Sequence, residues 1–85
     1  MEELDLSSNK IKNLNFLKGI KANNLSNLFL DHNNIKDLSV LYNIKELFPC
    51  LKIISLKNNN FSLKESEIRT LTNYLNQQKI KLYLN

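Results

Sequence analysis

Three stretches of this chain carry one pattern. LDLSSNKI (4–11), LFLDHNNI (28–35) and ISLKNNNF (54–61) each read apolar-x-apolar-x-x-Asn-x-apolar. The Asn falls at positions 9, 33 and 59, so the spacings are 24 and 26 residues. In x-Leu-x-Leu-x the two apolar side chains point one way and the x residues the other. A strand this short cannot bury its apolar side alone. Copies stacked in parallel can, and a spacing of this size leaves one crossover segment between successive strands. An Asn at the strand end suits such a stack, because its carboxamide both donates and accepts where backbone groups leave the ladder. Asn9, Asn33 and Asn59 are therefore expected to form a ladder.

The connecting segments carry their own signal. After the first Asn, Ile11, Leu14, Leu17 and Ile20 are expected inside; after the second, Ile35, Leu38, Leu41, Ile44 and Leu47. Steps of three fit 3-10 or short helical turns. Phe48-Pro49 ends the second segment, since proline keeps the preceding residue out of the helical region. The third segment differs. Ser62-x-x-Glu65 reads as a capping box, and Ile68, Leu71 and Leu75 form a helical stripe, predicting a helix over 63–77. KIKLYLN (79–85) reads as a fourth strand, and the alignment in which Leu82 and Leu84 copy Leu28 and Leu30 is preferred.

With a further leucine three residues upstream, at Leu25 and Leu51, the pattern becomes L-x-x-L-x-L-x-x-N-x-I/F. It resembles the leucine-rich repeat, whose unit spans roughly 20–29 residues. The resemblance covers nearly the whole chain. It implies an α/β fold: a short leucine-rich-repeat solenoid with a parallel sheet of about four strands on the concave side and helices or 3-10 turns on the convex side. The repeats fall at approximately 1–24, 25–50 and 51–78, with a partial unit at 79–85, in a single domain of 85 residues. No capping element precedes the first strand or follows the last, so either the chain is part of something longer or a partner covers its ends.

Composition narrows the function. The 42% apolar content supports a core, although a chain this short buries only about 60–65% of its unfolded surface. The single glycine, Gly19, rules out a glycine-rich phosphate loop. His32 and Cys50 stand alone in different repeats, the acids are scattered, and His32 with Asp31 makes a poor metal site. The expected protein is not an enzyme and needs no cofactor, metal or small-molecule substrate. Cys50 is expected to be a partly buried small apolar residue. One cysteine allows no internal disulfide, which fits an intracellular protein of the cytoplasm or nucleus. No apolar run is long enough to span a membrane. The sequons at Asn24 and Asn60 are what chance gives a chain with 15 asparagines.

What remains is a surface. The x positions form columns: Glu3, Asn27, Ile53 and Lys81; Asp5, Phe29, Ser55 and Tyr83; Ser7, Asp31, Lys57 and Asn85. Exposed apolar groups rimmed by charge are typical binding anchors. The expected partner-binding residues on the concave face are Asp5, Asn27, Phe29, Asp31, Ile53, Ser55, Lys57, Lys81 and Tyr83. Acids gather at one end of this face and lysines at the other, which would fix a partner's direction.

The net charge of +4 lies in the second half: residues 44–85 hold seven basic and three acidic side chains. The segment from Leu4 to Ile35, together with LYNIKELFPCLKIISL (41–56), is similar to the repeat domain of nuclear mRNA export receptors of the TAP/NXF type. Acidic nuclear phosphoproteins and tubulin-folding cofactors share parts of the pattern. The export resemblance implies contact with RNA and adaptor proteins, though 85 residues hold neither the RNA-recognition nor the NTF2-like module of that family. Two expectations follow. One is a protein-interaction module using the concave face and open ends. The other is an RNA-associated module using Lys45, Lys52, Lys57, Lys64, Arg69, Lys79 and Lys81.

Overall fold

The computed structural model describes residues 2–59, 61 and 63–84. It is an α/β fold with four short strands: β1 (Glu3–Asp5), β2 (Asn27–Phe29), β3 (Ile53–Ser55) and β4 (Lys81–Tyr83). All pair in parallel, in the order β1-β2-β3-β4. Partner offsets are 24, 26 and 28 residues, from Glu3↔Asn27, Asn27↔Ile53 and Ile53↔Lys81. The last pairing sets Leu82 beside Ile54, the alignment expected from Leu82 and Leu84.

The connections lie over one face of the sheet and supply most of the core. Leu28, Leu30, Ile54 and Leu56 are fully buried on that face. Leu4, Leu6, Leu82 and Leu84, on the outer strands, are half-buried because each has a neighbouring strand on one side only. Burying one such side chain contributes roughly 1.5–3 kcal/mol. Leu14 and Leu17 meet the sheet from a 3-10 turn, Asn15–Gly19. Leu38, Val40, Leu41 and Ile44 do so from a second 3-10 turn, Ser39–Asn43, which runs into α1 (Ile44–Leu47). The steps of three are thus mostly 3-10 geometry. α1 stops where proline demands: Phe48 takes φ −133°, ψ 85°, ahead of Pro49. That bend turns the Phe48 ring inward, where it is fully buried.

α2 (Glu65–Gln77) is the one long helix among the described residues. It begins two residues later than the stripe predicts, with Lys64 at the N-cap position. Glu67 supplies the carboxylate that accepts from the Lys64 N–H, at 3.5 Å. Ser62, the expected cap, lies outside the described residues. Leu71 and Leu75 face the core as expected and are buried, whereas Ile68, the third member of the expected stripe, is half-buried and does not pack against the core cluster. Tyr74 was not foreseen. Its ring lies 5.1 Å from that of Tyr42, and its hydroxyl donates to the Tyr42 carbonyl, tying α2 to the second 3-10 turn.

α2 ends in a Schellman turn. The Ile80 N–H donates to the Leu75 carbonyl at 2.8 Å and the Lys79 N–H to that of Asn76 at 3.0 Å, with Lys79 at φ 62°. Ile80 packs inward beside Leu75 and is buried, a core role its place at the strand entrance did not reveal. No described helix is long and apolar enough to cross a membrane.

Candidate functional site

The asparagines define where the strands end. Asn33 is 4% exposed and reaches two turns at once. Its Oδ1 accepts from the N–H groups of Asn9 (2.8 Å) and Ile11 (3.0 Å). Its Nδ2 donates to the carbonyls of Leu6, Leu30 and Asp31, at 3.1–3.2 Å. Asn59 repeats the arrangement one strand on, accepting from Ile35 N–H at 3.1 Å and donating to Leu30, Leu56 and Lys57 carbonyls. Each carboxamide therefore staples its own turn to the preceding one. Asn9 departs from the expected ladder. It is exposed, and its side chain donates to Ser7 O, within its own turn. Among the described residues no strand precedes β1 in the sheet for it to reach.

These turns require an unusual backbone. Ser8, His32 and Asn58, each one residue before the Asn, have φ of 60°, 55° and 59°. That is the left-handed region, where asparagine is the most tolerant non-glycine type. His32, unassigned by its sequence context, occupies this turn position, donates its N–H to Lys57 O at 2.8 Å and is exposed. Its Nε2 lies 3.4 Å from Asn58 Nδ2.

The strands hold the outward columns in register. Asp5 stands beside Phe29, Phe29 beside Ser55 and Ser55 beside Tyr83. The neighbouring column is Glu3, Asn27, Ile53 and Lys81. Asn27, Phe29, Asp31, Ile53 and Tyr83 are half-buried; Asp5, Lys57 and Lys81 are exposed. Asn85, the fourth member of the third column, lies outside the described residues.

Ser55 is a correction. It was expected among the contact residues but is only 4% exposed. Its register places it between the rings of Phe29 and Tyr83, and its hydroxyl donates to Asp31 Oδ1 at 2.6 Å. The same Asp31 oxygen accepts the Lys57 N–H at 2.8 Å. Asp31 is therefore a tie between β2 and β3 as well as a surface charge.

Charge decorates the aromatic end of this face. The ammonium groups of Lys57 and Lys81 lie 5.7 and 5.4 Å from the centre of the Tyr83 ring, within cation–π range. At the other end, Asp5 accepts the Ser7 N–H at 3.0 Å. That bond, aided by the Ser7 hydroxyl, holds the Asp5 carboxyl below its ordinary 3.8. Asp37 is lowered in the same way by the N–H of Ser39 at 2.9 Å, and by its hydroxyl.

The basic residues of the second half do not form one patch. Lys45, Lys52 and Lys79 converge with Glu2, Asn24, Ser26 and Cys50 on an open cleft of about 740 Å³ at the N-terminal ends of the strands. Lys57 and Lys81 lie on the outward sheet face. Lys64 and Arg69 belong to the α2 region, where Arg69 pairs with Glu65 at 3.8 Å. Cys50 is a second correction: it is exposed, not partly buried. The turn after Pro49 directs it outward while Phe48 and Leu51 fill the core on either side.

Comparison of the chain with protein families, with curated proteins and with solved structures gives no match.

Proposed function

We propose that the chain is a leucine-rich-repeat solenoid acting as a non-catalytic protein-interaction module, which binds through the outward face of its sheet and the edges of that sheet. The observation that carries this reading is the pair of aromatic side chains, Phe29 and Tyr83, flanking buried Ser55 on a face whose other residues, Ile53 apart, are polar or charged. Ile53 stands in the adjacent column, between Asn27 and Lys81. Half-buried rings held by a sheet lose little freedom on binding, so they suit the centre of an interface. Asp5 on one side and Lys57 and Lys81 on the other give that centre a polar rim of opposed sign.

The test is a Phe29→Ala, Tyr83→Ala double variant. Capture of the partner that copurifies with the wild-type chain should fall at least tenfold while the melting temperature shifts by only a few degrees. Undiminished capture by a folded double variant removes the reading.

A second reading, an RNA-associated module resembling that of the export receptors, draws on the lysine cluster at the cleft and on the cation-flanked Tyr83 ring. Bases stack on such rings, and lysines neutralise phosphates. Affinity for a single-stranded RNA should then fall steeply between about 50 and 200 mM salt. Salt-independent binding, or none, eliminates it.

A further inference from the structure

The four strands repeat one junction three times. The N–H groups of Leu6, Leu30 and Leu56 donate to the carbonyls of Phe29, Ser55 and Tyr83, each at 2.8 Å. The N–H groups of Asn27, Ile53 and Lys81 donate back to Glu2, Ser26 and Lys52 at 2.8–3.0 Å. In every junction the core-side residues of one strand turn their backbone groups toward the following strand, and the outward residues of that following strand turn theirs back. The two outer strands inherit the same phase. Among the described residues no strand pairs with the outer side of β4, which presents the backbone of Leu82 and Leu84, or with the outer side of β1, which presents that of Glu3 and Asp5. These edges are complementary: the donors and acceptors of one fall opposite those of the other in the register used throughout the sheet.

Charge reinforces the match. Glu3 and Asp5, both exposed, stand on β1; Lys81, exposed, stands on β4, with exposed Lys79 in the turn that enters it, while Glu2 faces β2 through its backbone and lines the cleft. Like edges repel and unlike edges attract. Natural sheets protect free edges with charge. Opposite signs on the two edges protect against β1–β1 and β4–β4 pairing but leave β4–β1 pairing open. The half-buried pairs Leu82/Leu84 and Leu4/Leu6 lie on the core side of the same two edges, where continuing the sheet would cover them.

We propose that this surface takes a second copy of the chain, with β4 of one molecule pairing in parallel with β1 of the next. In the shared register Lys81 stands beside Glu3 of the next molecule, Tyr83 beside its Asp5, and the Leu84 N–H donates to its Asp5 carbonyl. The contact is heterologous, so it propagates head to tail and does not stop at a dimer. The inference rests on the edge part of the function proposed above and names the partner of those edges.

The test uses the purified chain alone, so it is independent of any capture experiment on the outward face. Sedimentation velocity over a hundredfold concentration range should show a weight-average mass climbing from 10.0 kDa past that of a dimer. The climb should shrink as salt rises from about 0.05 to about 0.5 M. Two variants, Glu3→Lys with Asp5→Lys and Lys79→Glu with Lys81→Glu, each carry like charge on both edges and should stay monomeric. Mixed one to one, they should assemble again, because each presents to the other the edge it lacks. That rescue also shows that both variants fold. A mass fixed at 10.0 kDa throughout overturns the proposal. So does a closed dimer, or an association that ignores salt and gains nothing from mixing.

Discussion

The Ser55 hydroxyl donates to Asp31 Oδ1 at 2.6 Å, and this bond joins the ends of two neighbouring strands on the outward face of the sheet. Asp31 also accepts the Lys57 N–H, so one carboxylate oxygen holds both a buried hydroxyl and the backbone that leaves β3. Asp31→Ala removes both acceptor contacts and leaves Ser55 buried with its donor unsatisfied, which should cost about 2–3 kcal/mol. Ser55→Ala removes one bond and strands no buried donor, so about 1 kcal/mol is expected. Urea denaturation of the two variants checks the order. Equal losses would mean that neither the Lys57 bond nor the stranded Ser55 hydroxyl contributes.

The asparagine positions should rank as Asn33, then Asn59, then Asn9. Asn33→Ala leaves the N–H groups of Asn9 and Ile11 and three carbonyls without that carboxamide, so a loss of about 3 kcal/mol or more is expected. Asn59→Ala frees the Ile35 N–H and three carbonyls, and its cost should be somewhat smaller. Asn9→Ala gives up only a 3.2 Å exposed bond within its own turn and should stay within about 0.5 kcal/mol. The midpoint shifts in urea of the three single variants test the ranking directly.

Much of this architecture is legible in the order of residues, because the spacing of Asn9, Asn33 and Asn59 fixes strand phase and strand phase fixes which residues face inward. Leu28, Leu30, Ile54 and Leu56 follow from alternation alone. Phe48 and Ile80 do not. Their burial comes from backbone bends, at Pro49 and at the Schellman turn, which re-aim side chains away from any periodic expectation. Ser55 shows the same limit on the outward face. Alternation gives its side, but depth depends on what stands in the adjacent strands, here Phe29 and Tyr83. His32 is the instructive miss. Its signal was present, since it aligns with Asn58 and Ser8 one residue before the repeated Asn, and a left-handed position there explains an otherwise idle histidine.

Left-handed residues offer a stabilising change. Lys79 at φ 62° occupies the Schellman position that glycine fills at little steric cost. Lys79→Gly should stabilise the chain by about 1 kcal/mol, and His32→Gly by a similar amount, by relieving Cβ crowding. His32→Val should destabilise it, because a β-branched side chain tolerates positive φ least. Differential scanning calorimetry of the three variants should show two upward shifts and one downward.

Acid should weaken the fold through Asp5 and Asp37. Both carboxyls are held below 3.8 chiefly by a backbone N–H two residues on, from Ser7 and Ser39, and both are exposed. A carboxylate whose folded value lies below its unfolded one contributes stability above the unfolded value. The contribution is lost as pH falls through the folded value. Stability should therefore be level across neutral pH and decline below about pH 4. Asp5→Asn and Asp37→Asn keep an oxygen that accepts the same N–H but no longer titrate, so each should flatten part of the acid limb. Carbon-detected NMR titration of the two carboxyl groups provides the direct measurement, and midpoints at or above 3.8 would contradict the turn geometry that produces the shift.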